Sequence, residues 1–202
     1  GGNSLRLYTQ RNTGPVGSAG SYEVQNSNWS QTGNSPLRNY KGTPYEGGIS
    51  APFIAWLPKS VPAATIAKGT GHLIDIAPTL YELAGIKYPA IYNGTHTNRL
   101  PGKSLLPVLY GKSDTISRQG AIFWERGGNI AVRQGKWKLV QLVSTPGKYE
   151  LYDLTKDRAE NNDLAKENPE IVAKLQKLYK EWALENDVVD YSRLRPQSPA
   201  GR

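Results

Sequence analysis

Residues 49–57 read Ile-Ser-Ala-Pro-Phe-Ile-Ala-Trp-Leu, bracketed by Gly47-Gly48 and Pro58. A short apolar run stopped on both sides by turn residues predicts a buried strand, with Pro52 near its start or at an edge, where a missing N–H is tolerated. The period then changes. Ile76, Thr79, Leu80 and Leu83 recur at helical spacing, with Asp75 as N-cap and Pro78 in the first turn, so a helix is predicted that Gly85 stops. A Pro/Gly/Asn-rich connector covers 87–103, and Leu105, Leu106, Val108 and Leu109 make a short apolar segment closed by Gly111.

Beyond residues 111–120 the pattern predicts short strands at 121–125, 129–133, 136–143 and 148–153. Gln134-Gly135 and Ser-Thr-Pro-Gly at 144–147 are hairpin-loop chemistry, which makes the strands an antiparallel meander. In the third strand Trp137, Leu139 and Gln141 face one side and the charged residues the other, so one sheet face requires a cover. The predicted cover is a helix after Pro169, N-capped by Asn168, whose Ile171, Val172, Leu175, Leu178, Tyr179 and Trp182 form one stripe. Burying each Leu- or Trp-sized side chain is worth ~1.5–3 kcal/mol, enough to hold helix on sheet. Residues 1–40, rich in Gly, Ser, Asn, Thr and Gln, read as a long surface loop. The expected class is α/β, with a loop–strand–helix segment over 1–115 and a small antiparallel sheet with its helix over 116–202.

Composition narrows the chemistry. At 202 residues, 38% hydrophobic and 21% charged, the chain is ordinary for a soluble globular protein, and its 21 Gly and 14 Pro imply much loop. The absence of cysteine excludes disulfides, thiolate metal sites and a cysteine nucleophile, and two histidines cannot build a multi-histidine zinc site. A net charge of +8 favours anionic partners or, more blandly, a solvated basic surface. The cations are spread, without a run of five or a basic helix interleaved with aromatics, so no nucleic-acid partner is expected. No stretch approaches the ~18 apolar residues of a membrane span.

The candidate chemistry lies just before the first predicted strand, in Pro-Leu-Arg-Asn-Tyr-Lys-Gly-Thr-Pro-Tyr-Glu-Gly-Gly-Ile at 36–49. A lysine at the mouth of a sheet, flanked by glycines that admit close backbone approach, suits a tetrahedral anion met by a compact point charge. A solvated lysine beside a turn is the ordinary alternative. Glu46 is read as holding the 45–48 turn through backbone N–H groups. His72 either lines a cleft or is a satisfied structural histidine, and Arg38 either pairs with an acidic neighbour or approaches the anion.

That stretch resembles the segment of sulfatases in which an Arg, a Lys and Tyr-Glu-Gly-Gly lead into a strand of the large central sheet. The resemblance continues in family order. It runs through His-Leu-Ile-Asp-Ile-Ala-Pro-Thr-Leu at 72–80, Gly-Lys-Ser-Leu-Leu-Pro at 102–107 and Phe-Trp-Glu at 123–125. It ends with Glu-Leu-Tyr-Asp-Leu at 150–154 and Asn-Asn-Asp-Leu-Ala at 161–165, covering about residues 34–185. It implies the C-terminal part of a sulfatase of the alkaline-phosphatase superfamily, hydrolysing aryl or carbohydrate sulfate esters with Ca2+ and a formylglycine matured from a Cys/Ser-x-Pro-x-Arg motif. Lys41 matches the lysine that contacts sulfate and is the catalytic candidate, acting by electrostatic stabilisation. Arg38, His72 and Arg126 are substrate-side candidates, Arg126 because its turn differs from relatives that carry His-Glu-Gly-Asn-Arg; a plain hairpin turn is the alternative there. No metal ligand is assigned.

Two departures bear on activity. Asn-Ser-Pro-Leu-Arg at 34–38 echoes the nucleophile motif with Asn at the reactive position and in the wrong place in the order, and the metal-binding Asp-Asn pair is expected just before Gly1-Gly2. The missing N-terminal part, of ~300 residues at the usual size of large α/β enzymes, is therefore an expected partner, and this chain alone is expected to be inactive. The resemblance favours a periplasmic or secreted protein. The alternatives are a phosphoryl-transfer relative of the same superfamily and a non-catalytic anion- or glycan-binding module.

Overall fold

The structure, a computed structural model, describes residues 14–15, 17–21, 26–62, 64–67, 69–118 and 120–194. Gly1-Gly2 lies outside the described residues. The chain forms two compact units, one of residues up to Ala51 together with those from Ala121 onward, the other Pro52–Gly120.

The first unit is built on the meander. Strands β3 (Ile122–Arg126), β4 (Asn129–Gln134), β5 (Trp137–Gln141) and β6 (Tyr149–Asp153) pair antiparallel in sequence order. The register aligns Phe123, Val132, Leu139 and Leu151 in one row. Three of these, Val132, Leu139 and Leu151, pack with Leu175 of helix α5 (Pro169–Glu185), and Ile171, Val172, Leu178 and Tyr179 extend the contact, as the apolar stripe predicts. Trp182 stacks on Phe123 with ring centroids 5.0 Å apart. Asn168 precedes the helix, but its amide donates to the Leu164 carbonyl at 3.0 Å instead of capping through its side chain.

The opposite face is covered too, although the strand pattern calls for a cover on one face. Ala131, Val140 and Tyr152 cluster there with Tyr45 and Leu154, and Lys138 is fully buried beside them. The cover is the 38–50 segment, which includes the short helix α2 (Glu46–Ile49). Earlier still, part of the expected loop is helix α1 (Ser27–Asn34), started by Asn26, whose side chain accepts from the Trp29 N–H at 3.0 Å. Its sequence, SNWSQTGN, has no apolar repeat, so only the cap announces it.

In the second unit a 3-10 turn (Leu73–Asp75) runs into helix α3 (Ile76–Leu83), and Gly85 ends it at φ +66. Strands β1 (Ile91–Tyr92) and β2 (Thr95–His96) form a small hairpin, and α4 (Leu106–Leu109) follows. Asp75 does not cap α3 with its side chain. Its carboxylate instead turns back to the His72 N–H (2.8 Å), forward to the Lys103 N–H (2.8 Å) and sideways to Arg118 (2.5 Å), fully buried.

The expected strand at 49–57 is overturned. Ile49 closes α2, and 51–57 belongs to no strand or helix among the described residues. Phe53, Ile54 and Trp56 are 60%, 89% and 84% exposed. Strand propensity alone cannot bury a segment that has no neighbouring strand to pair with.

Candidate functional site

Lys41 sits on a loop whose course is dictated by the residues around it. Gly47 and Gly48 let that loop fold back on itself, since a Cβ at Gly47 would overlap the Asn39 carbonyl and one at Gly48 the Thr43 carbonyl. The Gly47 N–H donates to the Arg38 carbonyl at 2.9 Å, closing the loop at its base.

Two polar clamps fasten this loop to the sheet. Arg38 Nη1 donates to the Tyr152 hydroxyl (2.8 Å) and to the Glu160 carbonyl (3.1 Å), pairs with Glu150 (3.3 Å), and its guanidinium lies 4.1 Å over the Tyr45 ring. Tyr45 and Tyr152 both donate to Glu150 Oε2, at 2.7 and 2.6 Å. Burial and the Glu150 carboxylate push both phenols above their ordinary range, which keeps them protonated donors. Arg38 is thus engaged by an acidic neighbour. The second clamp is Glu46, whose Oε1 lies 2.9 Å from Lys138 Nζ while Oε2 lies 3.6 Å from Arg158. Its side chain therefore holds a buried lysine and not the backbone of its own turn.

Lys41 itself is exposed, and no hydrogen bond or ion pair holds its amine among the described residues. Arg126 approaches the same loop at Gly42. At the end of β3, Arg126 lies on the same sheet face as Trp124, and a Cβ at Gly42 would fall 3.4 Å from its Nη1. The hairpin after it turns through Gly127 (φ +58) and Gly128 (φ +83), with the Glu125 carboxylate accepting from the Gly128 N–H at 2.9 Å. The fold thus brings Arg126 to the loop that carries Arg38 and Lys41.

His72 belongs to the other unit. It caps the 3-10 turn through Nδ1, which accepts from the Ile74 N–H at 3.3 Å. Burial lowers its pKa below the ordinary 6.5, with Asp75 opposing, which suits a neutral, accepting imidazole.

Among the described residues no three His, Asp or Glu side chains gather as cation ligands. The described residues alone therefore offer no carboxylate cluster for a calcium ion. Glu46, Lys138, Glu150, Tyr152 and Glu160 were not singled out as a network from sequence. The available signal was Tyr45-Glu46 directly before the paired glycines, with a lysine central in an apolar strand.

Comparison with known proteins now places the chain. Residues 40–185 match the model of the N-sulphoglucosamine sulphohydrolase C-terminal family. A sulfatase of Formosa agariphila is 30% identical over 77% of this chain and 31% of its own length, and human arylsulfatase A is 32% identical over 70% and 32%. The crystal structure of Ps i-CgsB in complex with k-i-k-neocarrahexaose superposes with a TM-score of 0.59 at 26% identity, covering 74% of this chain and 32% of that one. The chain belongs to the sulfatase family and corresponds to its C-terminal portion. It spans about a third of the length of the curated relatives named here.

Proposed function

We propose that the protein carrying this chain is a sulfuric ester hydrolase acting on a sulfated carbohydrate, in which Lys41 meets the sulfate group and Arg126 the organic part of the ester. The observation that supports this most directly is the guanidinium of Arg126 resting against Gly42, the residue after Lys41, on a loop fastened at both ends. Two cations on a rigid support suit a sulfate ester, which presents one compact charge and an extended polar body. The family description names an N-sulphated sugar, and Ps i-CgsB was crystallised with an oligosaccharide, which favours a carbohydrate over a simple aryl group.

Exposure limits what Lys41 can do by itself. About 4 Å from an anion, a lysine gains about 1 kcal/mol in bulk water but about 4 kcal/mol at an effective dielectric near 20. Stabilisation worth having therefore needs water excluded from the loop. The rest of a sulfatase domain would supply that cover together with the nucleophile and the cation. The exposed Phe53, Ile54 and Trp56 fit the same reading, as an apolar segment awaiting a neighbouring strand of that domain.

The test is a pair of variants in the full-length protein. Lys41→Ala is expected to slow both a small aryl sulfate and a sulfated oligosaccharide. Arg126→Ala is expected to slow the oligosaccharide much more than the aryl ester. Unchanged kinetics for Lys41→Ala would withdraw the sulfate role.

A further inference from the structure

Beneath the loop lies a charged core that contacts neither proposed substrate group. Lys138, in the middle of β5, has its Nζ 2.9 Å from Glu46 Oε1 and 2.7 Å from Glu160 Oε1, and both Lys138 and Glu160 are completely buried. Glu160 Oε2 also accepts from the Glu46 N–H at 2.6 Å. Burying three charges is costly, and a well-packed apolar trio of similar volume is often at least as stable. In some proteins such a cluster serves instead to restrict the segments that carry it to one arrangement.

Here the segments are the Lys41 loop, strand β5 and the turn ending at Glu160. Glu160 is held at φ +57, a left-handed conformation that non-glycine residues adopt rarely. That backbone lets one residue serve both clamps, its carboxylate on Lys138 and the Glu46 N–H, its carbonyl on Arg38. Lys41 lies in sequence between Arg38 and Glu46, so a shift of this core moves the loop relative to Arg126.

We propose that Lys138 is a positioning residue for the sulfate site: acting through Glu46 and Glu160, it fixes where the Lys41 loop stands against Arg126. The proposal rests on the reading of Lys41 as the sulfate contact. It assigns the C-terminal sheet a part in the chemistry beyond closing the fold.

A double-mutant cycle in the full-length protein tests it, with para-nitrophenyl sulfate turnover as readout and thermal unfolding as the check on folding. Misplacing a catalytic group by about 1 Å can cost about a hundredfold, so Lys138→Met and the milder Glu46→Gln are each expected to lower kcat/KM at least tenfold. In a Lys41→Ala background each is expected to change it less than about twofold, because the group they position is gone. Effects that multiply with that of Lys41→Ala would overturn the positioning role while leaving the sulfate role intact, as would a folded Glu46→Gln protein with parental turnover. If Lys138→Met does not fold, Glu46→Gln carries the cycle alone. A Lys41→Ala protein with parental turnover, or a parent that does not turn over the ester, overturns both.

Discussion

Arg38 donates from Nη1 to the hydroxyl of Tyr152 across 2.8 Å, joining the loop that carries Lys41 to the last strand of the sheet. Tyr152 passes the contact on to Glu150 at 2.6 Å, so one phenol serves an acceptor and a donor role at once. Tyr152→Phe removes both bonds and leaves a largely buried carboxylate and a guanidinium short of a partner. The expected loss of stability is roughly 1–3 kcal/mol in urea unfolding, at the upper side of ordinary hydrogen-bond deletions. A loss within a few tenths of the parent value would mean that the network does not hold the loop.

Gly47→Ala is expected to unfold the loop or the whole unit, because the added methyl would overlap the Asn39 carbonyl, a backbone atom that cannot swing aside. Gly120→Ala is the control, since a Cβ there meets nothing within 4 Å. Comparing the melting temperatures of the two variants checks the loop's course. Equal values would contradict it.

Acid should act through Asp153. Hydrogen bonds from Lys136 and Thr155 hold its carboxyl down from 3.8 to about 2. Because the folded value is the lower one, the stabilisation is present above the unfolded value and is lost as pH falls through the folded one. The stability difference between the parent and Asp153→Asn should be level from about pH 7 to about pH 5 and shrink toward about pH 2. A difference that persists unchanged in acid would exclude this assignment.

Leu175 is the helix residue packed among Val132, Leu139 and Leu151. Leu175→Ala should cost roughly 2–5 kcal/mol, the range for emptying a buried leucine site, measured by chemical unfolding. A cost below about 1 kcal/mol would place the helix elsewhere than on this row.

The exposed strip at Phe53 and Trp56 makes a contrasting case. Replacing both with Ser should leave the melting temperature of the 202-residue chain nearly unchanged and lower that of the full-length protein. Equal effects on the two would remove the strip as a docking edge.

How much was legible in advance follows from the range of the forces involved. The meander could be read because Gln134-Gly135 marks a turn and Trp137 and Leu139 alternate with Lys136 and Lys138, both local signals. Helix α5 announced itself by its stripe. Lys138 could not be read as buried, since a charged residue at an alternate strand position ordinarily meets water, and only Glu46 and Glu160, remote in sequence, reverse that. The 49–57 run has the composition of a strand, but pairing depends on a neighbour that composition does not specify. At the site, the glycines around Lys41 pointed to close backbone approach, but they were read as leading into a strand and not as folding the loop back on itself. The approach of Arg126 to Gly42 depends on the register of β3 and β4, which no single stretch encodes.

The central claim, a lysine that stabilises a sulfate ester, is most directly measured by the inorganic anion set free. Full-length protein is given para-nitrophenyl sulfate and para-nitrophenyl phosphate in parallel, with and without Lys41→Ala. The expected result is sulfate release well above phosphate release in the parent and a large fall in sulfate release on removing the amine. Faster phosphate release, or sulfate release indifferent to Lys41, would contradict the account.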